Sequence, residues 1–217
     1  MTKARTIAIV GNGSVPEGAA ARIDAADLVV RFNDCRTVGP AGRRTDIVAV
    51  CNTGRPALAM LAGGAWKGSE PVRMASEFWG VRDPATFAAM RGPLGERHPE
   101  LDDFCDDYSQ GFATFAATTK RSFRLVPGSV HTALDMQLAA FAPAPYVVPS
   151  SGLVVVADVL EGLAGAGDSV LLAGFGHQGW QWHPLAAERR WVDGLVAAGR
   201  LARLDNELID TSSSQGA

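Results

Sequence analysis

Ile7-Ala8-Ile9-Val10-Gly11-Asn12-Gly13 decides the fold. Four apolar residues, three of them β-branched, run straight into a glycine-bounded turn, as in a buried strand that ends abruptly. The pattern returns in Leu28-Val29-Val30-Arg31-Phe32, closed by Asn33-Asp34, in Thr45 to Asn52, and in Ser169-Val170-Leu171-Leu172-Ala173, closed by Gly174. Strands that are apolar throughout, rather than on alternate positions, are covered on both faces, and this favours a parallel sheet flanked by helices. Helices are expected over Glu17–Ala26, Pro84–Met90, Thr132–Phe141 and Leu153–Ala164, with a long amphipathic one over Pro184–Leu204. Shorter strands are expected at Val72–Ser76 and Phe123–Val126, and an irregular exposed segment over Leu94–Asp107. The fold class expected is α/β, one Rossmann-like domain over residues 1–210 with a mostly parallel sheet, followed by a disordered tail over 211–217.

Composition agrees with one packed domain: 217 residues, 47% hydrophobic and 20% charged. Lys and Arg number 20 against 23 Asp and Glu, for a net charge of −3, which argues against non-specific nucleic-acid binding. No apolar run approaches the roughly 20 residues of a membrane span, and the first strand is too short for a signal-peptide core. Three cysteines, Cys35, Cys51 and Cys105, leave one over in any disulfide scheme, and no CxxC or Cys/His cluster suggests zinc. A reducing cytoplasm is the expected location.

Four stretches could carry chemistry. Gly11-Asn12-Gly13-Ser14 lies between a strand and a helix, where glycine lets backbone amides approach a phosphate; the other reading is an ordinary turn, since the GxGxxG spacing fails. Asn33 stands at the end of the second strand where a dinucleotide fold carries a carboxylate, and with Arg44 it suits a phosphate or a pyrimidine edge; alternatively Asn33 is a turn former and Arg44 a surface residue. Pro149-Ser150-Ser151-Gly152 precedes an apolar helix, so one serine caps the helix and the other, with Gly152, is available to a ligand. In Gly174 to His183 two tryptophans bracket polar positions after a strand end. There His183 and Glu188, five apart, suit an imidazole steadied by a carboxylate, or else a histidine stacked on tryptophan.

Taken in order, these stretches resemble the sialyltransferase family whose animal members carry the L, S, III and VS sialylmotifs. Ile9 to Gly13, Ile23 to Asn33, Val38-Gly39 and Gly42-Arg43-Arg44-Thr45 are similar to the L motif. Pro149 to Gly152 with Val170 to Phe175 is similar to the S motif, and His183 to Glu188 fits H-x-x-x-x-E. Residues Gly54 to Arg121 show no resemblance. The likeness implies a variant GT-A-like fold and metal-free, inverting transfer of a 2-keto sugar acid, sialic acid or Kdo, from its CMP-activated form to a glycan hydroxyl. It implies substrate contacts from Gly11, Asn12, Gly13, Asn33, Arg44, Asn52, Ser150, Ser151 and Gly152, His183 as general base with Glu188 behind it, and His177 at the leaving phosphate. No cofactor and no metal are expected. The missing S-segment cysteine and membrane anchor suit a bacterial, cytoplasmic member. A catalytically silent nucleotide-binding module and a dinucleotide-dependent oxidoreductase are the alternatives.

Overall fold

The computed structural model describes residues 3–204; the expected tail over 211–217 and the domain's last residues, 205–210, lie outside them. Seven parallel strands form one sheet: β1 (Thr6–Val10), β2 (Leu28–Phe32), β3 (Ile47–Val50), β4 (Glu77–Gly80), β5 (Ser122–Leu125), β6 (Ser169–Ala173) and β7 (Ala202–Arg203), in the order β5-β4-β3-β2-β1-β6-β7. The expected α/β class with a flanked parallel sheet is what the chain forms. The helices are α1 (Ala19–Asp24), α2 (Gly54–Ala62), α3 (Gly64–Gly68), α4 (Glu70–Met74), α5 (Pro84–Arg97), α6 (Ser109–Thr118), α7 (Gly128–Ala139), α8 (Ser151–Asp158) and α9 (Leu185–Ala197).

Alternation along the strands builds the two faces. Ile7, Ile9, Val30, Phe32, Ile47, Ala49 and Trp79 pack with Val130, Leu134 and Leu138 of α7, with α8, and with Ala187 and Val192 of α9. The intervening residues face the other way: Val48, Val50 and Phe78 meet α2, Trp66 of α3 and Phe112 of α6, while Ala8, Val10 and Val29 meet Ala19 and Ile23 of α1. Helix α8 carries Leu153, Val154, Val155 and Val156 consecutively, all buried, because it lies between the sheet and α7. A helix apolar all round must be covered all round.

Three local expectations are corrected. Val72–Ser76 is not a strand: Pro71 opens helix α4 there, and the chain enters the sheet at Glu77, where Phe78 and Trp79 are buried. Leu94–Asp107 is not all irregular: α5 runs on to Arg97, and Leu94 and Cys105 pack into a small core of their own. The last helix stops at Ala197, and Gly199 at φ +66 turns the chain back so that Ala202 and Arg203 pair with β6.

The strand order places the site. Strands β1 to β5 step outward in one direction, whereas β6 lies on the other side of β1, so the order reverses between β1 and β6. Beyond the carboxyl ends of two such strands an open α/β sheet leaves a crevice. Here the two turns nearly touch: Gly11 N donates to Ala173 O at 2.8 Å and Gly13 N to Gly174 O at 3.0 Å. Gly174 has φ +69, and a Cβ on it would fall 2.7 Å from Gly11 O and 3.0 Å from Gly13 O. Both obstacles are backbone, so Gly174→Ala is expected to cost about 3 kcal/mol, as for a side chain forced into a strained and crowded position. Urea unfolding checks this, and a loss under about 1 kcal/mol would show that the turns separate easily.

Candidate functional site

A cleft of about 660 Å³ opens at this switch point, and Gly11, Asn12, Gly13, Asn33, Ser150, Ser151, Gly152, His177, His183 and Glu188 all line it. Residues from both ends of the chain therefore share one cavity. Asn12 stitches the rim: its Nδ2 donates to Phe32 O (3.1 Å) and Asp34 Oδ1 (3.2 Å), and its Oδ1 accepts from Arg36 N (2.9 Å). Asn33 sits in the left-handed region at φ +50, its Oδ1 accepting from Cys51 N at 2.8 Å. That bond leaves its amide NH2 as the group for a ligand.

Ser150 caps α8 through Leu153 N (3.2 Å) and is itself held by Glu188, whose Oε1 accepts from Ser150 N and Oε2 from Ser150 Oγ, each at 2.7 Å. Burial raises the Glu188 carboxyl above its usual range, against the pull of those two bonds and of the Arg82 charge. On the other side of the same turn, Arg82 donates to Pro149 O at 2.9 Å and to Ser151 Oγ at 3.3 Å. Gly152 is small for a packing reason, since a Cβ there would lie 2.8 Å from the Phe175 ring.

The imidazoles are fixed. His183 Nδ1 lies 2.8 Å from Val148 O; a carbonyl only accepts, so Nδ1 carries the proton and Nε2 is the acceptor. Burial lowers its pKa to about 4. His177, at φ +47, has Nε2 2.9 Å from Arg203 Nη2 and accepts from it; burial, then the Arg203 charge, lower it to about 4 as well. Both are neutral at pH 7.

Several expected roles are not met. Glu188 does not steady His183: the carboxylate is taken by Ser150 and the imidazole by a backbone carbonyl. Arg44 stands at the amino-terminal end of the strands, opposite the cleft, donating to Ala26 O and Asp27 O and pairing with Asp46 at 2.9 Å, all just before β2 and β3 begin. Asn52 is buried and engaged with Arg82 N, Arg82 O and Ser109 Oγ, so it positions Arg82 rather than a ligand. Conversely, Arg36 lines the cleft unannounced by the sequence, and Phe175, read there only as part of the S-like stretch, lines it too. Arg36 lies three residues beyond Asn33, a position a reading of that turn could have included. Among the described residues, no group of three or more His, Cys, Asp or Glu side chains is placed to hold a metal ion, and no helix is long and apolar enough to cross a membrane.

No protein-family model matches the chain. It is 65% identical over 204 residues to the urease operon 23 kDa accessory protein of Rhizobium meliloti (strain 1021), covering 94% of each. Among solved structures it is similar to a mammalian sialyltransferase in complex with Gal-beta-1-3GalNAc-ortho-nitrophenol, with a TM-score of 0.57, 17% identity, and 92% of this chain and 69% of that one covered. It is also similar to the sialyltransferase CstII from Campylobacter jejuni in complex with a substrate analogue, cytidine-5'-monophosphate, with a TM-score of 0.50, 12% identity, and 94% and 82% covered. At such identities these two share the fold alone. The expectation of a CMP-sugar glycosyltransferase is overturned by the 65% identical relative, whose described role is that of an accessory protein.

The buried histidines give a pH signature. A folded-state pKa of about 4 against an ordinary 6.5 means that the unfolded chain takes up protons first as pH falls. The stabilisation is complete above about pH 6.5 and is lost towards pH 4. Lowered His131 acts in the same direction and raised Glu188 in the opposite one. His183→Gln keeps an N–H for Val148 O and cannot titrate, so urea unfolding free energies should fall less steeply between pH 7 and 4.5 in the variant. Parallel slopes would contradict the assigned burial of this imidazole.

Proposed function

The chain belongs to the family of the urease operon 23 kDa accessory protein, and from that premise we propose that it serves a urease system as an accessory whose cleft binds a small phosphate-bearing nucleoside ligand. The observation that carries the ligand half is the convergence of two glycine turns, Gly11–Gly13 and Gly174–Gly176, at the sheet's switch point. Glycines there let a phosphate approach the backbone, with the amides beside Gly11 and Gly13 as donors because those two are spent on Ala173 O and Gly174 O. The exposed Arg36 guanidinium, paired with Asp34 at 3.1 Å, stands at the same rim. Deeper in, the Asn33 amide donates and His183 Nε2 accepts, a pair suited to the mixed donor and acceptor edge of a pyrimidine. Cytidine monophosphate, named for the Campylobacter jejuni neighbour, is the first ligand to try. The reading assigns the cleft occupancy and no glycosyl transfer. Free Cys35, Cys51 and Cys105 suit a cytoplasmic location for such a role.

Two measurements test it. Titration with cytidine monophosphate should raise the melting temperature, and Asn33→Asp, which keeps the acceptor for Cys51 N but replaces the amide donor with a negative charge, should weaken that binding about tenfold or more. No shift at millimolar ligand would overturn the nucleotide reading. Expression of a urease operon with and without this chain should give lower urease activity in its absence; equal activity would overturn the accessory role.

A further inference from the structure

A second cavity, of about 460 Å³, adjoins the cleft and shares with it Asn33, Ser151, Trp180 and His183. Its remaining wall includes Arg82, Thr53 and the Arg55–Asp103 pair, with Pro56, Leu101 and Phe104 as apolar lining. Arg82 is 2% exposed and Thr53 1%. The guanidinium makes no ion pair among the described residues, its Nε has no hydrogen-bond partner, and neither has Thr53 Oγ1. The nearby acids are otherwise engaged: Asp103 pairs with Arg55 at 2.7 Å, and Glu188 is held by Ser150 across the 149–151 turn.

A guanidinium removed from water without a counter-ion is costly, and an orphaned buried hydroxyl adds to that cost. An entering anion relieves both once the two buried side chains turn to it, since the guanidinium and the hydroxyl both donate and a carboxylate accepts at two oxygens. The Arg82–Ser151 bond, at 3.3 Å the longer of the two guanidinium bonds to the 149–151 turn, is the one readily exchanged. Arg55 and Asp103 also line the cavity but neutralise each other at 2.7 Å. One cation unpaired among the described residues, Arg82, beside Leu101, Phe104 and Trp180 therefore matches a monoanion on an apolar body rather than a doubly charged phosphate.

We propose that this cavity is a binding site for a small organic carboxylate with an aromatic or aliphatic body, its carboxylate received by Arg82 and Thr53 and its body lying against Phe104 and Trp180. The site is separate from the nucleotide reading and stands or falls without it.

Calorimetric titration of the full chain with phenylacetate and with phenylacetamide, which differ in charge and hardly in shape, tests the proposal. Phenylacetate should bind about tenfold or more tightly than the amide, as for a charge-assisted pair against a neutral one. Thr53→Val should weaken phenylacetate and leave the amide unchanged, and Arg82→Gln should abolish the difference. Should Arg82→Gln fail to fold, the carboxylate–amide comparison in the unmodified chain and in Thr53→Val still decides. Equal affinities, no binding of either compound, or full displacement of phenylacetate by saturating cytidine monophosphate would each overturn the assignment. Failure of cytidine monophosphate to bind leaves the phenylacetate result standing.

Discussion

The contact between the β1 and β6 turns is the constraint on which the rest of the site depends. Gly11, Gly13 and Gly174 bring backbone to backbone at distances a single Cβ would prevent. That contact closes the sheet's reversal point, fixes the floor of the cleft, and aims the following residues, Asn12 and Ser14 on one side and Phe175 to His177 on the other, at the same space. Everything above the floor is secondary to it: Asn12 ties the β2 turn down, and Phe175 fills the gap that Gly152 leaves at the start of α8.

The 149–151 turn is the second organising element. It is held between a buried cation and a buried anion, Arg82 on Pro149 and Ser151 and Glu188 on Ser150. The charges do not touch, yet each biases the other through the turn, which is why the Arg82 charge opposes the rise in the Glu188 pKa. Such an arrangement holds the first turn of α8 between two cavities and keeps the Ser151 hydroxyl on the wall of both. Membership of an accessory-protein family and a transferase-like fold are compatible on this view. The fold supplies a switch-point crevice, while what the crevice does is set by the side chains around it.

Much of the framework was legible because buried parallel strands announce themselves. β1, β3 and β6 read as apolar runs ended close by with Gly or Asn, and β2 as one broken only by Arg31. The run Leu153–Ala157 is equally apolar but follows a serine cap and folds as α8. The stretch from Gly54 to Arg121 was opaque for the opposite reason. Helices α3 and α4 are five residues each, too short for a period to show, and the strand Glu77–Gly80 is hidden behind an apolar segment that Pro71 turns into helix. Of the candidate site, the glycine turns, Asn33, the serine pair and His183 were recognisable as strand ends and helix starts, and they do meet. Arg44 and Asn52 resembled ligand residues by order alone, and order says nothing about which end of the strands Arg44 occupies or that Asn52 is buried against Arg82.

By itself, the sequence determined the central buried strands β1, β2, β3 and β6, where each must turn, and that the sheet is parallel and covered, because these follow from local hydrophobic runs and from residues that tolerate tight backbone; β4 and β7 it did not show. Only the tertiary structure decided which polar side chains are spent on the fold and which are left for a ligand. That division rests on hydrogen-bond partners distant in the chain: Glu188 belongs to Ser150, Asn52 to Arg82, and the Arg82 guanidinium to no carboxylate among the described residues.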